Sequence, residues 1–178
     1  MKKSENKRVV ADFPIIVTGP QRSGTTIAAH IIAEQTGGVF VDELDYCLPL
    51  PDKAVVQAPF LLHQVLEASY MIPNVRFAFM YRAPGDIVAS MERVEWYADW
   101  YNDPDFYPTY VKHCYEYIDL LKRTLRKDQW FDVQYESLVH HPLFVRERAG
   151  FTVKQYRPDV PEGPTTWRNN DYLGLTPG

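Results

Sequence analysis

A glycine-bounded loop between an apolar run and an amphipathic segment constrains this chain more than any other feature. Residues 13–17 read Phe-Pro-Ile-Ile-Val, residues 19–26 read Gly-Pro-Gln-Arg-Ser-Gly-Thr-Thr, and apolar side chains then recur at helical spacing through residue 35. A strand that enters a helix through such a loop turns backbone N–H groups inward, and the helix N-terminus adds partial positive charge. We call the segment 19–26 the glycine loop, and its sequence predicts a phosphate-binding site.

Strand-like and helix-like segments alternate along the 178 residues. The pattern predicts strands at 13–17, 39–41, 75–81 and 130–133, and helices at 25–35, 60–70, 84–91 and 111–126, with a further short helix ending at Gly150. This alternation predicts a three-layer α/β/α domain around a central parallel sheet, of the P-loop nucleotide-binding type. We expect one domain over 1–178, with a flexible arm at 1–12 and an irregular tail at 158–178.

The charge balance and the cysteines exclude several classes of protein. Lys and Arg total 19 against 23 Asp and Glu, a formal net charge of −4, which disfavours a broad nucleic-acid-binding face but allows a local anion pocket. Cys47 and Cys114 cannot form a four-ligand zinc site alone, and we expect them to be reduced, partly buried thiols. The apolar run at 13–17 is far below the roughly 20 residues that span a bilayer. We therefore expect a cytoplasmic protein without a membrane or nucleic-acid partner.

The glycine loop lacks the lysine of nucleoside-triphosphate enzymes. Gly24 lies five residues after Gly19, but Thr25 stands where the Walker lysine is expected. That lysine bridges the β- and γ-phosphates, so its absence counts against ATP or GTP hydrolysis. The cation of this loop is Arg22, which can bind a phosphate bidentately. A donor without a γ-phosphate fits better.

Three segments resemble sulfotransferases that use 3′-phosphoadenylyl sulfate (PAPS), in motif style the tyrosylprotein and carbohydrate branch. Residues 22–26 resemble the 5′-phosphosulfate loop, 77–90 resemble the second family signature, and 134–138 with Pro142 resemble a Tyr-Glu-x-Leu segment. This resemblance implies PAPS as the donor, 3′,5′-adenosine bisphosphate (PAP) as the product, a hydroxyl acceptor and no metal. It implies a cofactor site made of Gln21, Arg22, Ser23, Gly24, Thr25, Thr26, Arg82, Ser90 and Tyr135.

Sulfuryl transfer also needs a base and groups that stabilise the transition state. The base removes the hydroxyl proton, and cations absorb charge on the leaving phosphate, a role that suits Arg22. The acids after the second strand are Asp42, Glu43 and Asp45, and Glu43 best matches the position of the family base. Gln57 stands where the family has the lysine of a Lys-x-Pro segment, so a weaker contribution to turnover is expected.

Weaker signals remain at the tail and in an aromatic segment. Trp167 could stack on adenine and Arg168 could reach phosphate, or both could anchor the tail. The aromatic and acidic segment 92–110 suits an acceptor wall, although half or more of its rings are expected to close the core. The histidines His63, His113, His140 and His141 are expected to be structural or superficial.

The residues support one main function and two alternatives. The main hypothesis is transfer of a sulfuryl group from PAPS to a hydroxyl of a sugar, phenol or peptide, with Arg22, Glu43 and Gln57 in catalytic roles. One alternative is a P-loop kinase using Mg-ATP, which the missing lysine weakens. The other is a nucleotide-binding relative that has lost catalysis, suggested by Gln57 and by the short chain.

Overall fold

A five-stranded parallel sheet forms the centre of the computed structural model, which describes residues 13–94 and 105–141. Its strands are β1 (Ile15–Thr18), β2 (Val39–Val41), β3 (Ala54–Gln57), β4 (Arg76–Tyr81) and β5 (Trp130–Gln134). They lie in the order β2-β3-β1-β4-β5, and every neighbouring pair is parallel. Because β1 lies between β3 and β4, the carboxyl ends of these three strands meet at one edge, where ligands of open α/β sheets bind.

Helices cover both faces of the sheet. They are α1 (Thr25–Thr36), α2 (Val65–Met71), α3 (Pro84–Arg93), α4 (Phe106–Thr124) and α5 (Tyr135–Leu138), with 3-10 turns at Glu43–Asp45, Pro59–Gln64 and Lys127–Gln129. Successive side chains of β1 point to opposite faces, so Ile15 and Val17 pack with α1 while Ile16 packs with α2 and α4. The apolar run that predicted β1 is continuous because both faces are buried. The predicted three-layer α/β/α fold is confirmed.

The prediction of four strands was wrong, because β3 completes the sheet between β2 and β1. All four residues of β3 are buried, yet its apolar run is only three residues long and gives no alternating pattern. The predicted helix at 60–70 begins as the 3-10 turn Pro59–Gln64 and continues as α2. Helix α4 begins at Phe106, before the predicted start at residue 111. The predicted arm, tail and helix ending at residue 150 lie outside the described residues.

Neither cysteine forms a disulfide, as predicted. The expected partial burial was wrong for both, because Cys47 is exposed and Cys114 of α4 is buried against the sheet. Burial raises the pKa of the Cys114 thiol to about 11. Across residues 13–94 and 105–141, no helix combines the length and the apolar character needed to cross a bilayer.

Candidate nucleotide and catalytic site

The glycine loop connects the end of β1 to the first turn of α1 in a tight conformation. Arg22 and Gly24 both have left-handed backbones, with φ of 67° and 98°. The amide and the hydroxyl of Ser23 both donate to the carbonyl of Pro20, at 3.2 and 2.6 Å. The Ser23 side chain is fully buried, and its hydrogen bond to Pro20 stabilises the conformation of the loop. A non-glycine residue held in the left-handed region costs free energy and is common at functional sites.

Gly24 is required because the ring of Tyr135 lies directly above it. A Cβ atom at residue 24 would lie 2.4 Å from Cδ2 of Tyr135, well inside van der Waals contact. Tyr135 begins α5 and is fully buried, so the ring has little room to move away. The close contact joins the glycine loop to the third predicted family segment.

The Gly24→Ala variant is expected to lose about 2–4 kcal/mol of unfolding free energy, from overpacking and from the left-handed backbone together. Urea unfolding measures this loss. The matched control is Gly37→Ala, because Gly37 is also left-handed, at φ 70°, but a Cβ there meets nothing within 4 Å. Equal losses in the two variants would show that Tyr135 does not constrain residue 24.

Arg82 and Ser90, from the second predicted segment, lie against the glycine loop. Arg82 follows β4 and its Nη1 donates to the carbonyl of Arg22 at 2.8 Å. Nε of Arg22 in turn donates to Oγ of Ser90, on α3, at 3.1 Å. The guanidinium of Arg82 lies 4.4 Å from the centre of the Tyr135 ring. Two arginines are thus held side by side at the carboxyl ends of β1 and β4, an arrangement that favours an anionic ligand.

Three further residues, which the sequence did not single out for this role, hold the backbone of the same region. The Tyr115 hydroxyl accepts from the Arg82 amide at 2.9 Å and donates to the Arg82 carbonyl at 2.7 Å. A carboxylate oxygen of Glu136 accepts from the amide of Ala83 at 2.8 Å. The Tyr110 hydroxyl accepts from the amide of Gln21 at 3.1 Å. Only the position of Glu136 beside Tyr135 in the Tyr-Glu segment could have indicated any of them.

A second group of predicted residues meets on the other side of β1. Nε2 of Gln57, at the end of β3, donates to Oγ1 of Thr25 at 3.1 Å. Oε1 of Gln57 accepts from the amide of Glu43 at 3.4 Å. Gln57 and Thr25 are buried, and burial together with the charge of Asp42 raises the pKa of the Glu43 carboxyl above its usual value. A carboxylate with a raised pKa is a better proton acceptor near neutral pH.

A comparison with protein families identifies the family of this chain. The model of the sulfotransferase family matches residues 34–148, about two-thirds of the chain. The chain belongs to the sulfotransferase family. No curated protein matches it, and no solved structure matches it either. Membership indicates an enzyme that transfers sulfuryl groups, and this family generally uses PAPS as its donor.

The family match and the site geometry support each other without overlapping fully. The matched residues 34–148 include Glu43, Gln57, Arg82, Ser90 and Tyr135. They begin after the glycine loop, which contacts Arg82, Ser90 and Tyr135 directly. The branch within the family, predicted from motif style, remains a prediction.

The other predicted site residues lie in the glycine loop or outside the described part of the chain. Gln21 and Thr26 are half-buried in the glycine loop, whereas Trp167 and Arg168 lie outside the described residues. In the part of segment 92–110 that is described, the Phe106 ring contacts the rings of Tyr107 and Tyr110, and both tyrosines pack on core residues of α3 and α4. These two tyrosines thus close the core, as expected for half or more of the rings in this segment.

Three of the histidines named from the sequence have aromatic or amide neighbours. His63 and His113 are exposed and contact each other and Tyr117, and burial together with the charge of His113 lowers the pKa of His63. His141 is buried beside Gln35, and burial lowers its pKa to about 4. Within residues 13–94 and 105–141, no three His, Cys, Asp or Glu side chains are grouped to hold a metal ion.

Proposed function

We propose that this protein transfers a sulfuryl group from PAPS to a hydroxyl of an acceptor and releases PAP. The observation that carries the proposal is the joining of Arg22, Arg82 and Ser90 at the carboxyl ends of β1 and β4. These are the residues that the family resemblance assigns to the two phosphate positions of PAPS. Their meeting in space, from segments that are 60 and 68 residues apart, supports a single site for a nucleotide that carries phosphate groups at two positions.

The donor set fits such a nucleotide chemically. The glycine loop places its backbone at the N-terminus of α1, which favours an anion. Arg82 and Arg22 provide guanidinium groups suited to bidentate phosphate contacts. When bound, PAPS would supply the activated sulfuryl group. Residues 21–26, which include Arg22, would bind its 5′-phosphosulfate. Arg82 and Ser90 would bind its 3′-phosphate.

The catalytic roles fall to Arg22 and to two members of the second group, Glu43 and Gln57. Glu43 accepts the proton of the acceptor hydroxyl as the oxygen attacks, and the proton remains on the Glu43 carboxyl. Arg22 stabilises negative charge on the departing phosphate. Gln57 orients this region by bonding both to Thr25 and to the amide of Glu43. Because its amide is uncharged, Gln57 stabilises the transferring group less than the family lysine would.

Gln57 also favours one alternative, a relative that binds the nucleotide without transferring it. Both polar atoms of the Gln57 side chain already contact protein groups, Thr25 and the amide of Glu43. In this alternative Arg22 and Arg82 still bind the nucleotide, and the contacts of Gln57 only stabilise the local structure. It predicts PAP binding without product formation from PAPS with any acceptor.

Calorimetric titration with PAP, beside ATP with and without Mg²⁺, tests the proposal. We expect metal-independent binding of PAP, because the anion contacts come from arginines and backbone amides rather than from a metal. Binding of Mg-ATP alone would overturn the proposal in favour of a kinase. Release of PAP from labelled PAPS in an acceptor screen then separates the active enzyme from the inactive relative.

A further inference from the structure

Helix α4 touches both nucleotide-binding segments through two tyrosine hydroxyls. Tyr110 accepts a hydrogen bond from the amide of Gln21, in the glycine loop. Tyr115, five residues further along α4, bonds to both the amide and the carbonyl of Arg82, after β4. The two contacts join α4 to residues that lie 89 and 33 positions away in the sequence. One rigid helix is thereby connected to both loops that the proposed function assigns to PAPS.

The Tyr115 contact fixes the backbone of Arg82 at both of its polar groups. Arg82 is only 5% exposed, so water does not readily replace a lost partner at this position. The ring of Tyr115 stacks on the ring of Tyr81, with 5.3 Å between the centroids and an angle of 8° between the ring planes. This stacking fixes the orientation of the Tyr115 ring and thus the position of its hydroxyl. On the other side, Glu136 accepts from the amide of the next residue, Ala83. The turn that carries the Arg82 guanidinium is therefore held from α4 and from α5.

We infer that Tyr115 is a positioning residue that sets the preference for a nucleotide with a 3′-phosphate, while Tyr110 positions the glycine loop without affecting that preference. The inference rests on the proposed function, in which Arg82 binds the 3′-phosphate and residues 21–26 bind the 5′-phosphosulfate. Tyr115 acts through the main chain of Arg82 and does not itself touch the nucleotide. The two tyrosines of one helix thus act on different ends of the same ligand.

The experiment compares the affinities of PAP and 5′-AMP, which differ by the 3′-phosphate, in Tyr115→Phe and Tyr110→Phe. In Tyr115→Phe the polar backbone groups of Arg82 lose their partner and the guanidinium shifts. We expect PAP affinity to fall about tenfold or more and AMP affinity to fall by a smaller factor, because the Arg82 guanidinium also bonds to the carbonyl of Arg22. In Tyr110→Phe we expect both affinities to fall by a similar factor, so the ratio of PAP affinity to AMP affinity stays at its native value. Tyr117→Phe, on the same helix but among exposed histidine rings, is the matched control.

Two results would overturn the inference. If Tyr115→Phe weakened PAP and AMP by the same factor, Tyr115 would have only a structural role. If Tyr110→Phe reduced the ratio as strongly as Tyr115→Phe, the division between the two tyrosines would be wrong. Glu136→Ala removes the support of the same turn from the other side, and it should lower the ratio in the same direction as Tyr115→Phe.

A separate measurement keeps the inference apart from the proposed function. Amide hydrogen exchange at Arg82, in the protein without nucleotide, should be faster in Tyr115→Phe and unchanged in Tyr117→Phe. If the native protein binds no PAP, the proposed function fails, and the assignment of a 3′-phosphate preference to Tyr115 fails with it. The exchange of the Arg82 amide would still decide the positioning contact, because unchanged exchange in Tyr115→Phe would contradict it.

Discussion

Replacing Glu43 by glutamine is expected to reduce sulfuryl transfer by about 10²–10⁴-fold, the usual contribution of a positioned general base. Glutamine keeps the size of the side chain but cannot accept the hydroxyl proton. The amide of Glu43 bonds to Gln57 through the main chain, so this contact survives the substitution. PAP affinity should therefore remain close to the native value, because the substitution leaves the proposed binding contacts intact. Initial rates with PAPS and calorimetry with PAP measure the two effects.

The pH dependence provides a second readout of the same residue. Glu43 is active as a base only when it is deprotonated, and its pKa is raised by burial and by Asp42. Activity should therefore rise with increasing pH through this raised pKa, and the acidic limb should vanish in Glu43→Gln. Asp42→Asn removes a neighbouring negative charge, so the limb should move to lower pH while the enzyme stays active. If Asp45→Asn abolished transfer and Glu43→Gln did not, the base would be Asp45.

Replacing Arg82 by alanine is expected to lower PAP affinity by at least about 30-fold, the usual cost of removing one member of a buried charged contact. The variant loses the proposed 3′-phosphate ligand and the hydrogen bond from Nη1 to the carbonyl of Arg22. Arg82→Lys keeps the charge but loses the planar pair of donors, so an intermediate affinity is expected. Calorimetric titration with PAP measures all three proteins.

Arg76 offers a matched control on the same strand. It begins β4, at the opposite end from Arg82, and its Nε donates to the carbonyl of Asp128 at 3.1 Å. Arg76→Ala removes the same charge from the protein, so it should change PAP affinity only through general electrostatics, which salt screens. A comparable loss in both variants would remove Arg82 from the nucleotide site.

The fold could be predicted from the sequence where a segment is long enough to show a clear pattern of apolar residues. β1 and β4 are buried runs, β5 alternates buried and partly exposed residues, and α1 and α4 have apolar side chains over several turns, so their type was correct. β3 was missed because a strand of four residues carries too little pattern and is defined by pairing with β2 and β1. The start of α4 at Phe106 was also missed, because aromatic residues and a proline obscure its first turn.

The candidate site was predictable only at its motif-bearing positions. Arg22, Arg82 and Ser90 were identified from local sequence signatures, and the structure brings them into hydrogen-bonded contact. The supporting contacts of Tyr110 and Tyr115 leave no local signal, because a tyrosine on an amphipathic helix has the same pattern whether or not its hydroxyl finds a distant partner. Such contacts are set by how α4 packs on the sheet, which one sequence does not specify.

The hydrogen bonds of Arg22 and Arg82 join residues 33 to 68 positions apart, so the site exists only when the sheet is assembled. No short fragment of the chain can hold the nucleotide, and the unfolded chain has essentially no affinity for it. A ligand that binds only the native state stabilises the whole domain by mass action, by about 2.7 kcal/mol at a concentration 100 times its dissociation constant. The abundance of this protein in a cell would then depend on the supply of its own donor nucleotide.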